Sequence, residues 1–89
     1  MQKYLAEFLG TLIFAYVLLA TSGNAVAVAA TLAILIMILG PISGGLLNPA
    51  FVFVKASSGE LAIKEVLPYC FAEILGGLTA VQIFQYVKL

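Results

Sequence analysis

Long apolar stretches separated by short polar ones make up most of the chain. Three of these stretches are long enough for membrane helices, at residues 4–20, 25–39 and 68–87. A helix needs about 20 mostly apolar residues to cross a bilayer, and somewhat fewer when its ends are buried in protein. A polar TSGN turn follows the first stretch, and the Gly-Pro pair at 40–41 is expected to stop the second. The pattern therefore predicts three transmembrane helices.

The second stretch is short for a span that faces lipid on all sides. It carries a face of small residues, which lets a neighbouring helix approach closely. These residues are Ala25, Ala29 and Ala33. We therefore expect this helix to be packed inside a bundle.

The segment after the second stretch mixes turn residues with large apolar ones, and reads GPISGGLLNPAFVF over residues 40–53. Asn48 can cap a helix, and Pro49 suits its first turn. That helix would be only about eight residues, or about 12 Å, long, which is too short to cross a bilayer. Two interpretations stay open. Residues 40–56 are either a re-entrant loop with a half-helix inside the bilayer or a capped turn outside it.

Residues 57–67 are expected to form a surface segment. Ser57 and Glu60 have the spacing of a capping box, and ELAIKEVL has the pattern of a short amphipathic helix. The elements together predict one unit over residues 1–89. Its fold class is an all-α membrane protein with three transmembrane helices and one re-entrant half-helix.

Composition excludes several classes of function. Hydrophobic residues make up 64% of the 89 residues and charged residues 9%, against about 25% charged in a soluble domain. The net charge is zero and histidine is absent, so nucleic-acid binding and imidazole chemistry are not expected. Cys70, the single cysteine, cannot form an internal disulfide or build a metal site alone. We therefore expect a multi-pass integral membrane protein with no cofactor and no metal.

The first helix also has some features of a cleavable signal peptide, since Lys3 precedes an apolar run. Glu7 would then lie within the hydrophobic region, and Leu18 and Ala20 make a poor cleavage site. We interpret the segment as a retained helix.

Two glutamates occupy equivalent positions of a short internal repeat. AEFLGTL (6–12) and AEILGGL (72–78) share the letters A, E, L, G and L. A charged group near the centre of a helix in lipid costs about 2.5–3.5 kcal/mol, so Glu7 and Glu73 should face the bundle interior. Their expected partners are backbone N–H groups of residues 40–48, which makes them struts for that segment. A proton or ion relay, or partial hydration of Glu7 near the interface, are the alternatives.

These motifs, in this order, carry a resemblance to a known family. SGGLLNPA resembles the S-G-x-x-x-N-P-A signature of the aquaporin and glycerol-facilitator family, the major intrinsic proteins. AEFLGTL is similar to that family's first helix, and AEILGGL is similar to its third, in which Gln is commoner than Glu. The resemblance covers nearly the whole chain.

The resemblance implies a passive channel rather than an enzyme. In the signature Asn48-Pro49-Ala50, the Asn48 amide would donate to a water or polyol hydroxyl at the pore centre. The carbonyls of the four preceding residues would line the path as acceptors, and the half-helix dipole would repel protons and cations. Those four residues are Gly44, Gly45, Leu46 and Leu47.

Two departures from the family's pattern bear on the pore. Family members are roughly twice this length, with two inverted three-helix halves whose loops meet at the midplane, so the chain resembles a half-length member. Phe51 follows the signature, where the family's second half carries the arginine of the selectivity filter. The second-helix position that faces the filter falls near Val28. Any filter would then be apolar.

A pore of this kind needs a second half. A second copy in the opposite orientation would reproduce the inverted repeat, and a partner with the other half would also complete it. Charge gives a weak bias toward one orientation. With the N-terminus inside, Lys3, Lys55 and Lys64 face the cytoplasm and Lys88 does not.

Three functions are compatible with the sequence. The leading hypothesis is a channel for water or small neutral solutes, assembled in the lipid bilayer as a homo-oligomer or with a complementary half-channel. The second is a non-conducting membrane interaction protein derived from a truncated channel. The third is a three-helix anchor with residues 40–48 outside the bilayer.

Overall fold

The computed structural model describes residues 1–87, so Lys88 and its expected position opposite the other lysines lie outside the described residues. Within this part of the chain there are four α-helices and one short 3₁₀ helix. They are α1 (Gln2–Ala20), α2 (Ala25–Ser43), α3 (Pro49–Ser57), the 3₁₀ helix (Ile63–Glu65) and α4 (Val66–Tyr86).

Three segments are long and apolar enough to cross a membrane. They are α1, α2 and the continuous stretch Ile63–Tyr86, which contains the 3₁₀ helix and α4. The prediction of three membrane helices is confirmed. α3 has 9 residues, or about 14 Å of helix, and falls well short of a span.

α1 and α4 lie side by side and run in the same direction. The rings of Tyr4 and Tyr69 meet edge to face at 5.7 Å near the start of both helices. Tyr16 and Phe84 meet in the same way at 6.0 Å near their ends. The two copies of the internal repeat therefore pack against each other.

Gly76 sets the separation of these two helices. A Cβ atom at this position would overlap the carbonyl oxygen of Phe8 and approach the amide of Leu12 to 3.2 Å. Only glycine allows the backbones to come this close.

α2 is longer than the sequence pattern predicted, because it passes through Pro41 and ends at Ser43. Proline removes one backbone hydrogen bond and usually breaks a helix. Here it lies in the last turn, and Gly44 closes that turn in the left-handed conformation, with its N–H bonded to the Gly40 carbonyl at 2.9 Å. The prediction of an end at residue 39 was wrong by four residues.

α2 is also more exposed than expected. Leu35 and Ser43 are its only buried residues among those described, while the small-residue face of Ala25, Ala29 and Ala33 points away from the rest of the chain. The predicted packing of this helix inside a bundle is therefore not found within one chain.

Residues 57–67 do not form the predicted amphipathic helix. The amides of Glu60 and Leu61 both bond back to the Lys55 carbonyl, at 2.9 and 3.2 Å, so these residues close α3, and the next helical residues are those of the 3₁₀ helix from Ile63. The predicted capping box between Ser57 and Glu60 is absent from this described turn. The Ser58 hydroxyl bonds to Glu60 instead, at 3.0 Å.

Charged side chains collect at the end of the bundle where α1 begins. Lys3 pairs with Glu65 at 3.1 Å, and Lys55 pairs with Glu60 at 2.9 Å. The hydrogen bonds from Lys55 and then Ser58 lower the pKa of the Glu60 carboxyl below its ordinary value. Both pairs are partly exposed, so each contributes little to stability. Their position indicates that this end of the molecule faces water.

Candidate functional site

The segment between α2 and α3 is held in an unusual backbone conformation. Gly44 and Gly45 have φ angles of 93° and 60°, and Leu47 has a φ of 57°. A positive φ is uncommon for a residue with a side chain and must be stabilised by its surroundings. The Leu47 amide donates to Glu7 Oε1 at 2.8 Å, and its carbonyl accepts from the Thr11 hydroxyl at 3.4 Å.

Glu7 is the centre of this stabilisation. Its side chain is fully buried and accepts three hydrogen bonds. The donors are the Ser43 hydroxyl at 2.5 Å, the Leu46 amide at 3.2 Å and the Leu47 amide at 2.8 Å. Two of these are backbone N–H groups of residues 40–48, the partners that the sequence predicted for it. Bonds to a carboxylate are about twice as strong as neutral ones.

The end of α2 is fixed from the opposite side by α4. The hydroxyl of Tyr69 donates to the Ser43 carbonyl at 2.8 Å. The Ser43 hydroxyl in turn accepts from the Gly45 amide at 3.3 Å. Residues 43–47 are therefore bonded to α1 through Glu7 and to α4 through Tyr69.

Asn48 and Pro49 begin α3. Asn48 Oδ1 accepts from the Ala50 amide at 2.8 Å and caps the helix, and Pro49 occupies the first position. The cap uses the side-chain oxygen, so the NH₂ group of Asn48 remains as a donor. Asn48 and Ala50 are both exposed.

α3 is fastened to the bundle along one side only. Val52 is fully buried in a cluster with Leu46 and Tyr69. On the other side, Phe51 is 44% exposed and Phe53 is 58% exposed. α3 therefore presents one face to α4 and leaves an apolar face uncovered.

Leu47 packs at the middle of α1. Its side chain lies against Gly10, and its carbonyl bonds to Thr11. Gly10 and Thr11 are the ninth and tenth of the 19 residues of α1. The segment therefore reaches the midpoint of a helix long enough to cross a membrane.

Gly10→Ala is expected to destabilise the protein moderately. The new Cβ would lie 2.5 Å from Leu39 Cδ1 and 2.6 Å from Leu47 Cδ2, so both side chains must move. Overpacking of this kind costs about 1–3 kcal/mol. Thermal unfolding in detergent, followed by the reaction of Cys70 with a thiol probe, measures the change. Gly40→Ala is the control, because its Cβ would meet nothing within 4 Å, and an equal shift in both variants would contradict the packing argument.

The structure separates the predicted pore residues into two groups. Gly44, Asn48, Ala50 and Phe51 are exposed and Pro49 is half-buried, whereas Gly45, Leu46 and Leu47 are buried. Val28 lies apart from all of them, because it is 15 residues from Ser43 on α2, or about 22 Å along the helix.

Glu73 differs from the strut that the sequence predicted. It is 1% exposed, yet neither carboxyl oxygen has a hydrogen-bond partner within residues 1–87. Of the two glutamates, Glu7 is the one that bonds to amides of the 40–48 segment. The expectation for Glu73 was wrong because those amides are already taken by Glu7 on the facing helix.

Sequence reasoning missed Thr11 and Tyr69 as residues that hold the segment. Each lies four residues from a buried glutamate, Thr11 after Glu7 and Tyr69 before Glu73. Residues four apart lie on the same face of a helix. The spacing could therefore have predicted that these two polar side chains face the same interior as the glutamates.

An open groove runs between α2 and α3. Its apolar walls are the side chains of Ile36, Phe51 and Val54, and its floor includes the backbone of Gly44 and Gly45. In the part of the chain that the structure covers, no group of three or more His, Cys, Asp or Glu side chains could hold a metal ion.

Three apolar helices of spanning length, with two buried acids between them, define an integral membrane protein that crosses the bilayer several times. Comparison with known sequences narrows this class. The sequence profile of the major intrinsic protein family matches residues 1–89, and the chain belongs to that family. Its members are membrane channels for water and small solutes, and not enzymes.

Individual relatives agree with the family assignment. The chain is 40% identical over 60 residues to the aquaglyceroporin AqpS of Rhizobium meliloti, covering 67% of this chain and 26% of that protein. It is 33% identical over 88 residues to the lens fiber major intrinsic protein of Gallus gallus, covering 86% and 34%. It is 31% identical over 93 residues to aquaporin NIP1-1 of Arabidopsis thaliana, covering 90% and 31%.

The matched part spans about a third or less of the length of these relatives. No solved structure matches the chain significantly.

Proposed function

We propose that residues 1–89 form one three-helix unit of a channel for water or small neutral solutes. In this proposal residues 44–57 are a re-entrant loop and half-helix, and Asn48 lies at the centre of the pore. The observation that supports it most is the contact of Leu47 with Gly10 and Thr11, halfway along α1.

The course of α3 supports the re-entrant interpretation. If α1 spans the bilayer, a segment bonded to its midpoint lies near mid-depth. α3 then runs back about 14 Å, roughly half of a 30 Å hydrocarbon core. At its end Lys55 and Glu60 form an exposed ion pair, as expected of a helix that returns to water.

The polar groups along this segment suit a neutral solute with hydroxyl groups. Asn48 offers amide donors. The Leu47 carbonyl is used by Thr11, so the acceptors left for a solute are the carbonyls of Gly44, Gly45 and Leu46. The dipole of α3 has its positive end at Pro49, beside Asn48, and this disfavours cations.

The remaining surface of the proposed path is mostly apolar, and Lys55, which is paired with Glu60, is the charged residue that lines the groove. Phe51 lies next to the signature, and Ile36 and Val54 line the groove beside it. No charged side chain would select an ionic solute at Phe51 or Val28. Preference among neutral solutes would then follow from pore width.

The groove is open, so one unit supplies only one wall of a pore. α2 presents an uncovered apolar face beside it, and the uncovered face of α3 is continuous with it. We propose that a second three-helix unit closes the path, either another copy of this chain or a complementary half-channel.

Osmotic water flux into liposomes that contain only this chain tests the proposal. We expect flux well above that of protein-free vesicles, and a clear decrease with Asn48→Ala. Asn24→Ala is the matched control, because Asn24 caps α2 by the same kind of bond, to the Ala27 amide at 3.0 Å. Both variants lose a cap worth about 1 kcal/mol, but only Asn48 would contact the solute.

Two results would count against parts of this proposal. Equal flux in Asn48→Ala and Asn24→Ala would remove Asn48 from the path. Background flux from folded, inserted protein would exclude a pore built from copies of this chain alone, and would leave a complementary half-channel or a non-conducting membrane interaction protein.

A further inference from the structure

We propose that Glu73 is a proton-binding site: its carboxyl group stays protonated at neutral pH and donates a hydrogen bond to the carboxylate of Glu7. The inference concerns Glu7, the residue that holds the 43–47 segment, and its neighbour on α4. It depends on the fold alone and holds whether or not the chain conducts.

The first observation is an unsatisfied buried carboxyl group. Glu73 is 1% exposed, and both of its oxygens lack a hydrogen-bond partner within the described residues. Gly76, one turn further along α4, contacts the backbone of Phe8 and Leu12, so Glu73 lies on the face of α4 that packs against α1 near the equally buried Glu7. A polar group buried in this way carries a large desolvation cost unless it forms a hydrogen bond.

The second observation is that Glu7 has a full set of donors. Its carboxylate accepts from Ser43 Oγ and from the amides of Leu46 and Leu47. In all three bonds the Glu7 oxygens are the acceptors. An ionised carboxylate is only an acceptor, so two neighbouring carboxylates cannot bond to each other without a proton between them. Of the pair, Glu73 is the one without other donors, and the proton therefore belongs on Glu73.

No cation on the described elements is placed to neutralise Glu73 instead. The cations of α1 and α3 are engaged in ion pairs at the end of the bundle, and the lysine of the 3₁₀ helix is exposed there. α2 carries no charged or titratable side chain over Ala25–Ser43. The pairs are Lys3 with Glu65 and Lys55 with Glu60, and the exposed lysine is Lys64.

The other titratable groups near Glu73 are neutral hydroxyl or thiol groups. Tyr4 on α1 donates to Glu65 at 2.5 Å, and Tyr69 on α4 donates to the Ser43 carbonyl. Cys70, on the same helix, is half-buried. None of these supplies a hydrogen bond to Glu73.

A protonated Glu73 would act as a positioning residue. It would hold the Glu7 carboxylate from the side opposite to the loop, and so help to orient the amides of Leu46 and Leu47. It would also link α1 and α4 through a bond that an ionised Glu73 could not make.

Infrared spectroscopy of the purified chain in lipid vesicles tests the protonation directly. We expect the difference spectrum of wild type minus Glu73→Gln at neutral pH to show the C=O band of a protonated carboxyl group, shifted in deuterated water. In Glu7→Gln the band should persist at a changed frequency, because its acceptor has changed. A difference spectrum without this band, or a band lost in Glu7→Gln and kept in Glu73→Gln, would overturn the assignment.

The midpoint of thermal unfolding, measured by circular dichroism over increasing pH, tests whether the hydrogen bond from Glu73 to Glu7 stabilises the fold. Glu73→Gln mimics the protonated form, so at neutral pH its midpoint should stay within a few degrees of wild type. In the alkaline range the wild-type midpoint should fall further than that of Glu73→Gln, since loss of the proton breaks the bond and leaves two facing charges. Parallel curves would contradict the proposal. Water flux is not part of either measurement, so failure here is distinct from failure of the channel proposal.

Discussion

Glu7→Ala is expected to release the segment between α2 and α3 and to unfold a large part of the protein. The Leu46 and Leu47 amides and the Ser43 hydroxyl would lose their acceptor in a place that water does not reach. Each buried donor left unsatisfied costs about 1–3 kcal/mol, which gives roughly 3–9 kcal/mol for the three. Because whole domains are stable by only about 5–15 kcal/mol, this loss is comparable with the total.

The reaction of Cys70 with a thiol probe measures this effect, because Cys70 packs against the cluster beneath the segment. We expect much faster labelling in Glu7→Ala at a temperature where the wild type is protected. Glu60→Ala is the matched control, since Glu60 is exposed and its loss should leave the labelling rate unchanged. Similar rates for Glu7→Ala and wild type would show that Glu7 does not hold the segment.

Gly76→Ala is expected to separate α1 from α4. Its Cβ would overlap a backbone oxygen, that of Phe8, which cannot rotate away as a side chain would. Overpacking against flexible groups costs about 1–3 kcal/mol, and a clash with backbone should reach or exceed the upper end of that range. The displacement would also pull Thr11 and Glu7 away from Leu47.

The next residue provides a close control. A Cβ at Gly77 would meet only the Thr11 methyl group, at 4.0 Å, which is ordinary contact. Gly77→Ala should therefore unfold near the wild-type temperature, while Gly76→Ala unfolds several degrees lower. A larger loss in Gly77→Ala than in Gly76→Ala would contradict the observed helix contact.

The parts of the fold that depend on local pattern could be predicted from the sequence. Long, mostly apolar runs predicted α1, α2 and α4, because a membrane span depends chiefly on length and hydrophobicity. The signals at Asn48 and Pro49 likewise gave the start of α3. The partners of Glu7 followed from a general rule, that amides away from water need an acceptor.

The errors arose where neighbouring residues decide the outcome. Pro41 ends a helix in most sequences, yet here Gly44 closes the extra turn beyond it. Glu60 and Leu61 suit the start of a helix, but their amides are already bonded to the Lys55 carbonyl. Glu7 and Glu73 have nearly identical sequence surroundings and different environments, because the loop approaches only one of them. Such differences depend on tertiary contacts that no local pattern records.

The measurement that most directly tests the central claim is the depth of α3 in a bilayer. Each chain would carry one cysteine, introduced as Ala50→Cys, Ser58→Cys or Ser22→Cys in a Cys70→Ala background, and labelled with a fluorophore. Quenching by lipids brominated at different acyl positions then reports the depth. We predict strongest quenching by deep bromines for residue 50, and by shallow bromines for residues 22 and 58. A shallow position for residue 50, equal to that of residue 58, would place Asn48 outside the membrane interior and contradict the channel proposal.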